Sequence, residues 1–127
     1  MVKVLLVEDE ELVARMYEKA LRFAKYDTVL AIGGKEGLEK AESENPDFIF
    51  LDIMMPEPDG IEVLDKLKSN PKTAKIPIVM LTNLSGKNDA ELAMEKGAAG
   101  YLIKSKTDIA KLGDLVEKYL GSASKSG

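Results

Sequence analysis

The chain has 127 residues with 18 basic and 22 acidic side chains, a net charge of −4, and no histidine, cysteine or tryptophan. These absences exclude a Ser-His or Cys-His nucleophile pair, an imidazole base, a disulfide, a thiolate zinc site and a haem-linking CxxCH motif. Chemistry done by this chain must come from carboxylates, hydroxyls, amines and whatever hard metal they hold, so any imidazole must arrive on a partner.

Short apolar runs alternate with amphipathic stretches. Residues 2–7 (VKVLLV) are nearly continuous in apolar character and read as a strand buried on both faces. Leu12, Val13, Met16, Ala20 and Phe23 then recur at helical spacing. Residues 28–32 form a second strand stopped by Gly33-Gly34, and a short helix over 35–44 carries Leu38 and Ala41 on one face until Asn45-Pro46 breaks it. The third strand, 48–51 (FIFL), runs directly into Asp52.

The second half repeats the rhythm. Ile61, Leu64 and Leu67 mark a helix ending before Asn70-Pro71, and residues 78–81 are a fourth strand ending at Thr82. A fourth helix covers 89–96 and is closed by Gly97. Residues 101–103 are a fifth strand ending at Lys104, and Ile109, Leu112, Val116 and Tyr119 define a last helix. Five strand–helix units predict an α/β fold, a parallel sheet with helices on both faces joined by right-handed crossovers. One domain is expected over residues 1–120, with 121–127 a disordered tail, a linker remnant or an expression remnant.

Apolar residues at 45% and charged residues at 31% fit one globular domain. The acidic balance argues against nucleic acid or an anionic membrane as partner. No apolar run approaches the ~18 residues of a membrane span, the first residues lack a signal-peptide pattern, and zero cysteine fits a reducing compartment. A cytoplasmic protein is therefore expected.

Strand one is followed by Glu8-Asp9, strand three by Asp52, strand four by Thr82 and strand five by Lys104. Each residue alone has an ordinary reading as a turn, cap or solvated side chain. Together they place ionisable and hydroxyl groups at the carboxyl edge of a parallel sheet, where functional groups gather. Three adjacent carboxylates repel unless a cation joins them, and oxygen-only ligation selects a hard ion such as Mg²⁺. Lys104 suits a phosphoryl group as a point charge, the Thr82 hydroxyl can donate to one of its oxygens, and an aspartate can attack phosphorus to give an acyl phosphate.

The ordered set Val7-Glu8-Asp9, Leu51-Asp52-Ile53-Met54-Met55-Pro56 running to Asp59-Gly60, Leu81-Thr82, and Gly100-Tyr101 with Lys104 resembles the receiver domain of two-component response regulators, single-domain chemotaxis regulators included. The resemblance covers about residues 2–120. It implies a flavodoxin-like, doubly wound sheet of order 2-1-3-4-5. It implies that Asp52 accepts a phosphoryl group from a sensor histidine kinase or histidine phosphotransfer protein. Glu8, Asp9, Asp52 and the Met54 backbone carbonyl are then the Mg²⁺ ligands, with Mn²⁺ a substitute. Thr82 and Lys104 match the phosphoryl-sensing pair, and Tyr101 the aromatic that changes rotamer. Tyr101 also has a plain reading as a half-buried strand residue with a wet hydroxyl. The domain would catalyse its own phosphorylation and dephosphorylation without turning over an external substrate. It would signal to a downstream protein and present the edge of helix 4, strand 5 and helix 5 for homodimerisation.

Three features depart from the family pattern. Ser105 follows Lys104 where proline, commonly cis, is usual, which leaves the reach of Lys104 open. Asn83 replaces a small residue beside Thr82. Met54 and Leu84 flank the site with apolar side chains that cannot position water, so slow hydrolysis of the phosphorylated form is expected. Two rival chemistries fit less well. A flavin-binding protein needs a phosphate-cradling loop after strand one, where this chain has Glu8-Asp9-Glu10-Glu11. A haloacid-dehalogenase-type phosphatase needs a DxDxT pattern there. The nearer alternative is a receiver-like interaction module that is never phosphorylated.

Overall fold

A computed structural model describes residues 1–83 and 87–126. Its strands are β1 (Lys3–Val7), β2 (Asp27–Ala31), β3 (Phe48–Asp52), β4 (Ile78–Thr82) and β5 (Gly100–Ile103). They form one parallel sheet of order β2-β1-β3-β4-β5, the expected doubly wound topology. The helices are α1 (Glu11–Phe23), α2 (Gly34–Glu44), α3 (Gly60–Ser69), α4 (Lys87–Glu95) and α5 (Leu112–Ser126).

Successive strand side chains point to opposite faces, so a sheet buried on both sides makes two cores. Leu5, Val7, Ile49, Leu51, Ile78 and Met80 join Ala41 of α2, Leu64 of α3 and Ala93 of α4 on one face. Val4, Leu6, Phe48, Phe50, Val79 and Leu81 join Tyr17 and Leu21 of α1 and Val116 of α5 on the other. None of the described helices is long and apolar enough to cross a membrane.

Two elements differ from the pattern read in the sequence. α1 buries Ala14, Tyr17 and Leu21, whereas Leu12, Met16 and Phe23 of the periodic apolar stripe stand in solvent. The helix carries two apolar stripes, and periodicity alone does not say which meets the sheet. Ile109, expected within the last helix, lies instead in a 3-10 turn at Ile109–Lys111 ahead of it. α5 itself runs from Leu112 to Ser126.

The turn after β3 is tightly determined. The N–H of Gly60 donates to the Ile53 carbonyl (3.0 Å), and a Cβ at position 60 would collide with the Asp52 carbonyl oxygen. Asp59 then opens α3 with a capping box: it accepts from the Glu62 N–H (2.9 Å) while Glu62 accepts from the Asp59 N–H (3.4 Å). Among the described residues the one cis peptide is Glu57–Pro58, so Lys104–Ser105 is trans.

Candidate functional site

The carboxyl ends of β1, β3, β4 and β5 bring Glu8, Asp52, Thr82 and Lys104 to one edge of the sheet. Glu8 follows the last residue of β1, and its N–H donates to the Ala31 carbonyl of β2 (3.1 Å). Asp52 and Thr82 are the last residues of β3 and β4, and Lys104 follows the last residue of β5. Register fixes the juxtaposition, because Asp52 pairs with Leu81 and Thr82 with Ile103. Glu8, Asp52 and Thr82 are all buried.

The Lys104 ammonium lies 2.8 Å from Glu8 Oε2 and 3.3 Å from Asp52 Oδ2. The trans Lys104–Ser105 linkage and the 3-10 turn Lys104–Lys106 therefore leave the lysine within reach of both acids. Asp52 Oδ1 accepts from the Met54 N–H (3.2 Å), and Glu8 Oε1 accepts from the Glu10 N–H (3.3 Å). Thr82 Oγ1 donates to the Asn83 carbonyl (3.1 Å). Tyr101 is half-buried and packs on the core shared with α4, while Met54 is half-exposed beside Asp52. Leu84, read as a second apolar flank, lies outside the described residues.

Two buried acids and one partly buried lysine do not balance. Burial pushes the Asp52 carboxyl up to about 7, helped by its hydrogen bond to Glu8 and the Glu8 charge and opposed by Lys104. For Lys104, burial disfavours the charge, but the hydrogen bond to Glu8 and the charges of Asp52 and Glu8 outweigh it and raise its pKa.

Asp9 Oδ1 is buried and accepts no hydrogen bond among the described residues. Carboxylate oxygens of Glu8, Asp9 and Glu10 fall within 4.8 Å of one another. A bare buried carboxylate oxygen beside two further acids is costly alone and well suited to a hard divalent cation. The acids present thus fit such an ion.

The sequence pattern missed two residues. Glu10 completes the acidic group, although it stood in plain view in the run of acids after β1. Tyr17, buried on α1, lies near Glu8, Asp52 and Lys104; burial raises its phenol pKa, with Lys104 opposing and the two acids adding. Its only signal was a hydroxyl-bearing aromatic on the helix that follows the acids, and that signal names no face.

The profile of the response regulator receiver domain family matches residues 4–117. Over 102 residues the chain is 41% identical to the alkaline phosphatase synthesis transcriptional regulatory protein PhoP of Bacillus subtilis, covering 80% of this chain and 42% of PhoP. It is 31% identical over 120 residues to the polar-differentiation response regulator DivK of Brucella ovis, covering 94% of this chain and 97% of DivK. The Mn(2+)-bound form of response regulator Rcp1 superposes with a TM-score of 0.79 at 28% identity, covering 94% of each chain. The chain spans less than half the length of PhoP and of four other relatives at 37–38% identity.

Proposed function

The chain belongs to the response regulator receiver domain family, and from that premise we propose that Asp52 accepts a phosphoryl group from a phosphohistidine donor in a Mg²⁺-dependent reaction. The observation that carries the reading is the buried Asp52 held at 3.3 Å from Lys104, beside an acidic group with a buried oxygen that has no partner among the described residues. The domain is a signalling acceptor that catalyses its own modification, and its donor is a sensor histidine kinase or a histidine phosphotransfer protein. Residues 1–120 would form the unit that acts.

In the reaction an Asp52 oxygen forms a bond to phosphorus as the phosphorus–nitrogen bond breaks, and that electron pair leaves on the donor's imidazole. The chain has no histidine, so the imidazole belongs to the donor. When bound, Mg²⁺ neutralises phosphoryl oxygens and removes the repulsion among the acids. Asp9, Glu8, Asp52 and the Met54 carbonyl are the ligands we assign, and Glu10 is a further acid close enough to take part. Mn²⁺ would substitute. Lys104 already spans Glu8 and Asp52, so only a small movement takes its ammonium to a phosphoryl oxygen. The Thr82 hydroxyl, now donating to the Asn83 carbonyl, would turn to a second oxygen.

That turn vacates space beside β5, and Tyr101 would fill it, shifting the domain toward a form a downstream protein reads. The edge of α4, β5 and α5 is the surface expected to change. Met54 offers the site an apolar flank, so the acyl phosphate should hydrolyse slowly for this family. Replacing Met54 with Gln should speed its loss in Mg²⁺ buffer; equal lifetimes would remove that proposal.

Incubation with acetyl phosphate or phosphoramidate plus Mg²⁺, followed by intact-mass measurement, tests the central reading. One added phosphoryl group is expected, lost in Asp52→Asn and strongly reduced by chelation. Equal labelling of Asp52→Asn would refute the assignment of the acceptor. No labelling of the parent would leave an unphosphorylated interaction module as the better account.

A further inference from the structure

Lys104 lies beyond the last pair of the sheet, so the β5 ladder does not aim its side chain. β5 is an edge strand beside β4, and the final pair between them is Thr82 with Ile103. Strands lie about 4.8 Å apart, so the end of β3 is about 10 Å across the sheet from the end of β5. The Lys104 ammonium nevertheless reaches to 3.3 Å from Asp52 Oδ2 and 2.8 Å from Glu8 Oε2. Closing such a gap uses most of a lysine's length. The direction in which its Cα–Cβ bond leaves the backbone therefore decides whether the ammonium arrives.

That direction is set in the 3-10 turn Lys104–Lys106. Thr107, which ends the turn, holds both carbonyls that flank the Lys104 Cα. Its N–H donates to the Lys104 carbonyl at 3.3 Å, and its Oγ1 donates to the Ile103 carbonyl at 2.8 Å. The first distance is long for an N–H bond and the second is optimal for an O–H bond, so the hydroxyl is the stronger closure. A proline at 105 would drive Lys104 out of the helical region, so this turn and a proline there exclude each other. With Ser105 in that place the turn needs another restraint, and the Thr107 hydroxyl supplies one. The neighbouring Asp108 has a separate role: it caps the next turn by accepting from the Ala110 N–H at 3.0 Å.

We propose that Thr107 is a positioning residue for Lys104: its hydroxyl, closed on the Ile103 carbonyl, aims the lysine at Asp52 and so governs how fast Asp52 takes up a phosphoryl group. The inference rests on Asp52 being the phosphoryl acceptor. Thr107 itself touches neither the phosphoryl group nor the metal. When the phosphoryl group arrives, the ammonium passes from the acids to one of its oxygens while the backbone beneath it stays in place. Without the hydroxyl, only the long N–H bond of Thr107 closes the turn, and the ammonium spreads over positions that miss Glu8 and Asp52. Valine at 107 keeps the size and branching of threonine and removes the hydroxyl alone; serine keeps the hydroxyl.

Two measurements on the full chain test this, with folding of each variant checked by circular dichroism. With acetyl phosphate and Mg²⁺, Thr107→Val should label about tenfold more slowly than the parent, and Thr107→Ser within about twofold of it. Introduced into Lys104→Met, Thr107→Val should slow labelling no further, because a residue that acts through Lys104 then has nothing to position. Asp108→Ala, which removes the adjacent cap, should label like the parent. The second measurement is independent of phosphorylation: acylation of Lys104 by an N-hydroxysuccinimide ester in metal-free buffer, read by peptide mass. An ammonium held between two acids reacts slowly, so Thr107→Val should react several-fold faster and Thr107→Ser like the parent. Equal acylation of the parent and Thr107→Val overturns the inference, as does labelling of Thr107→Val at the parent's rate. Equal slowing by Thr107→Val with and without Lys104 overturns it too. A parent that takes up no phosphoryl group, while Thr107→Val still frees Lys104, refutes Asp52 as acceptor and supports the positioning of Lys104.

Discussion

Asp52 carries a conflict between placement and charge. Its carboxyl is raised from 3.8 to about 7, first by burial, then by the hydrogen bond and charge of Glu8, against the pull of Lys104. Between those two values the folded protein holds a proton that the unfolded chain releases, so folding stability falls as pH rises from about 4 to about 7. Without divalent cation, the thermal midpoint should drop across that window in the parent and stay nearly level in Asp52→Asn. Parallel melting curves against pH would show that the proton sits elsewhere. Lys104 has the opposite role: its raised pKa gives stability that is present at neutral pH and is lost only as pH rises through its folded value. Lys104→Met leaves the buried Glu8 carboxylate without its 2.8 Å partner, and should cost about 3 kcal/mol in urea unfolding at neutral pH.

Within elements, the β3–α3 turn has the least freedom. Asp59 and Glu62 cap α3 reciprocally, and Asp59→Ala should cost about 1 kcal/mol while leaving the phosphoryl labelling of Asp52 intact. Gly60→Ala places a Cβ against the Asp52 carbonyl, so either the turn or the end of β3 must move. It should cost about 1–3 kcal/mol and slow labelling as well. Comparing chemical denaturation with labelling rate for the two variants separates a helix cap from a residue that positions Asp52. α1 illustrates a different limit. Its helical spacing was legible, but the buried residues are Ala14, Tyr17 and Leu21, and the more conspicuous apolar stripe faces outward.

For the whole molecule, the site exists only because strands distant in sequence finish at one edge. Glu8 and Lys104 are separated by 96 positions yet lie 2.8 Å apart, through the placement of β1 and β5 in one sheet. An ion bound by the acids should stabilise the fold by mass action, by about 2.7 kcal/mol at a hundredfold excess over its dissociation constant. Mg²⁺ titration followed by thermal melting should raise the midpoint of the parent. Asp9→Asn, which alters the acid whose buried oxygen has no partner among the described residues, should lose most of that rise.

The strand-and-helix alternation, the acids after β1, and Asp52, Thr82 and Lys104 at strand ends were all legible in the chain. Local periodicity and turn residues determine elements, and elements determine which residues terminate them. The zero count of histidine likewise determined that no imidazole of this chain takes part. Distance and exposure followed instead from how the elements pack against one another. Lys104 spans Glu8 and Asp52 across a trans Lys104–Ser105 linkage, a reach the sequence left open because it depends on the path of the following turn. Glu10 joins the acidic group and Tyr17 comes near the site because α1 starts where it does and rotates Tyr17 inward. The same rotation exposes Leu12, Met16 and Phe23. A helix has one pattern of apolar residues but several faces, and the sheet against which it packs selects among them.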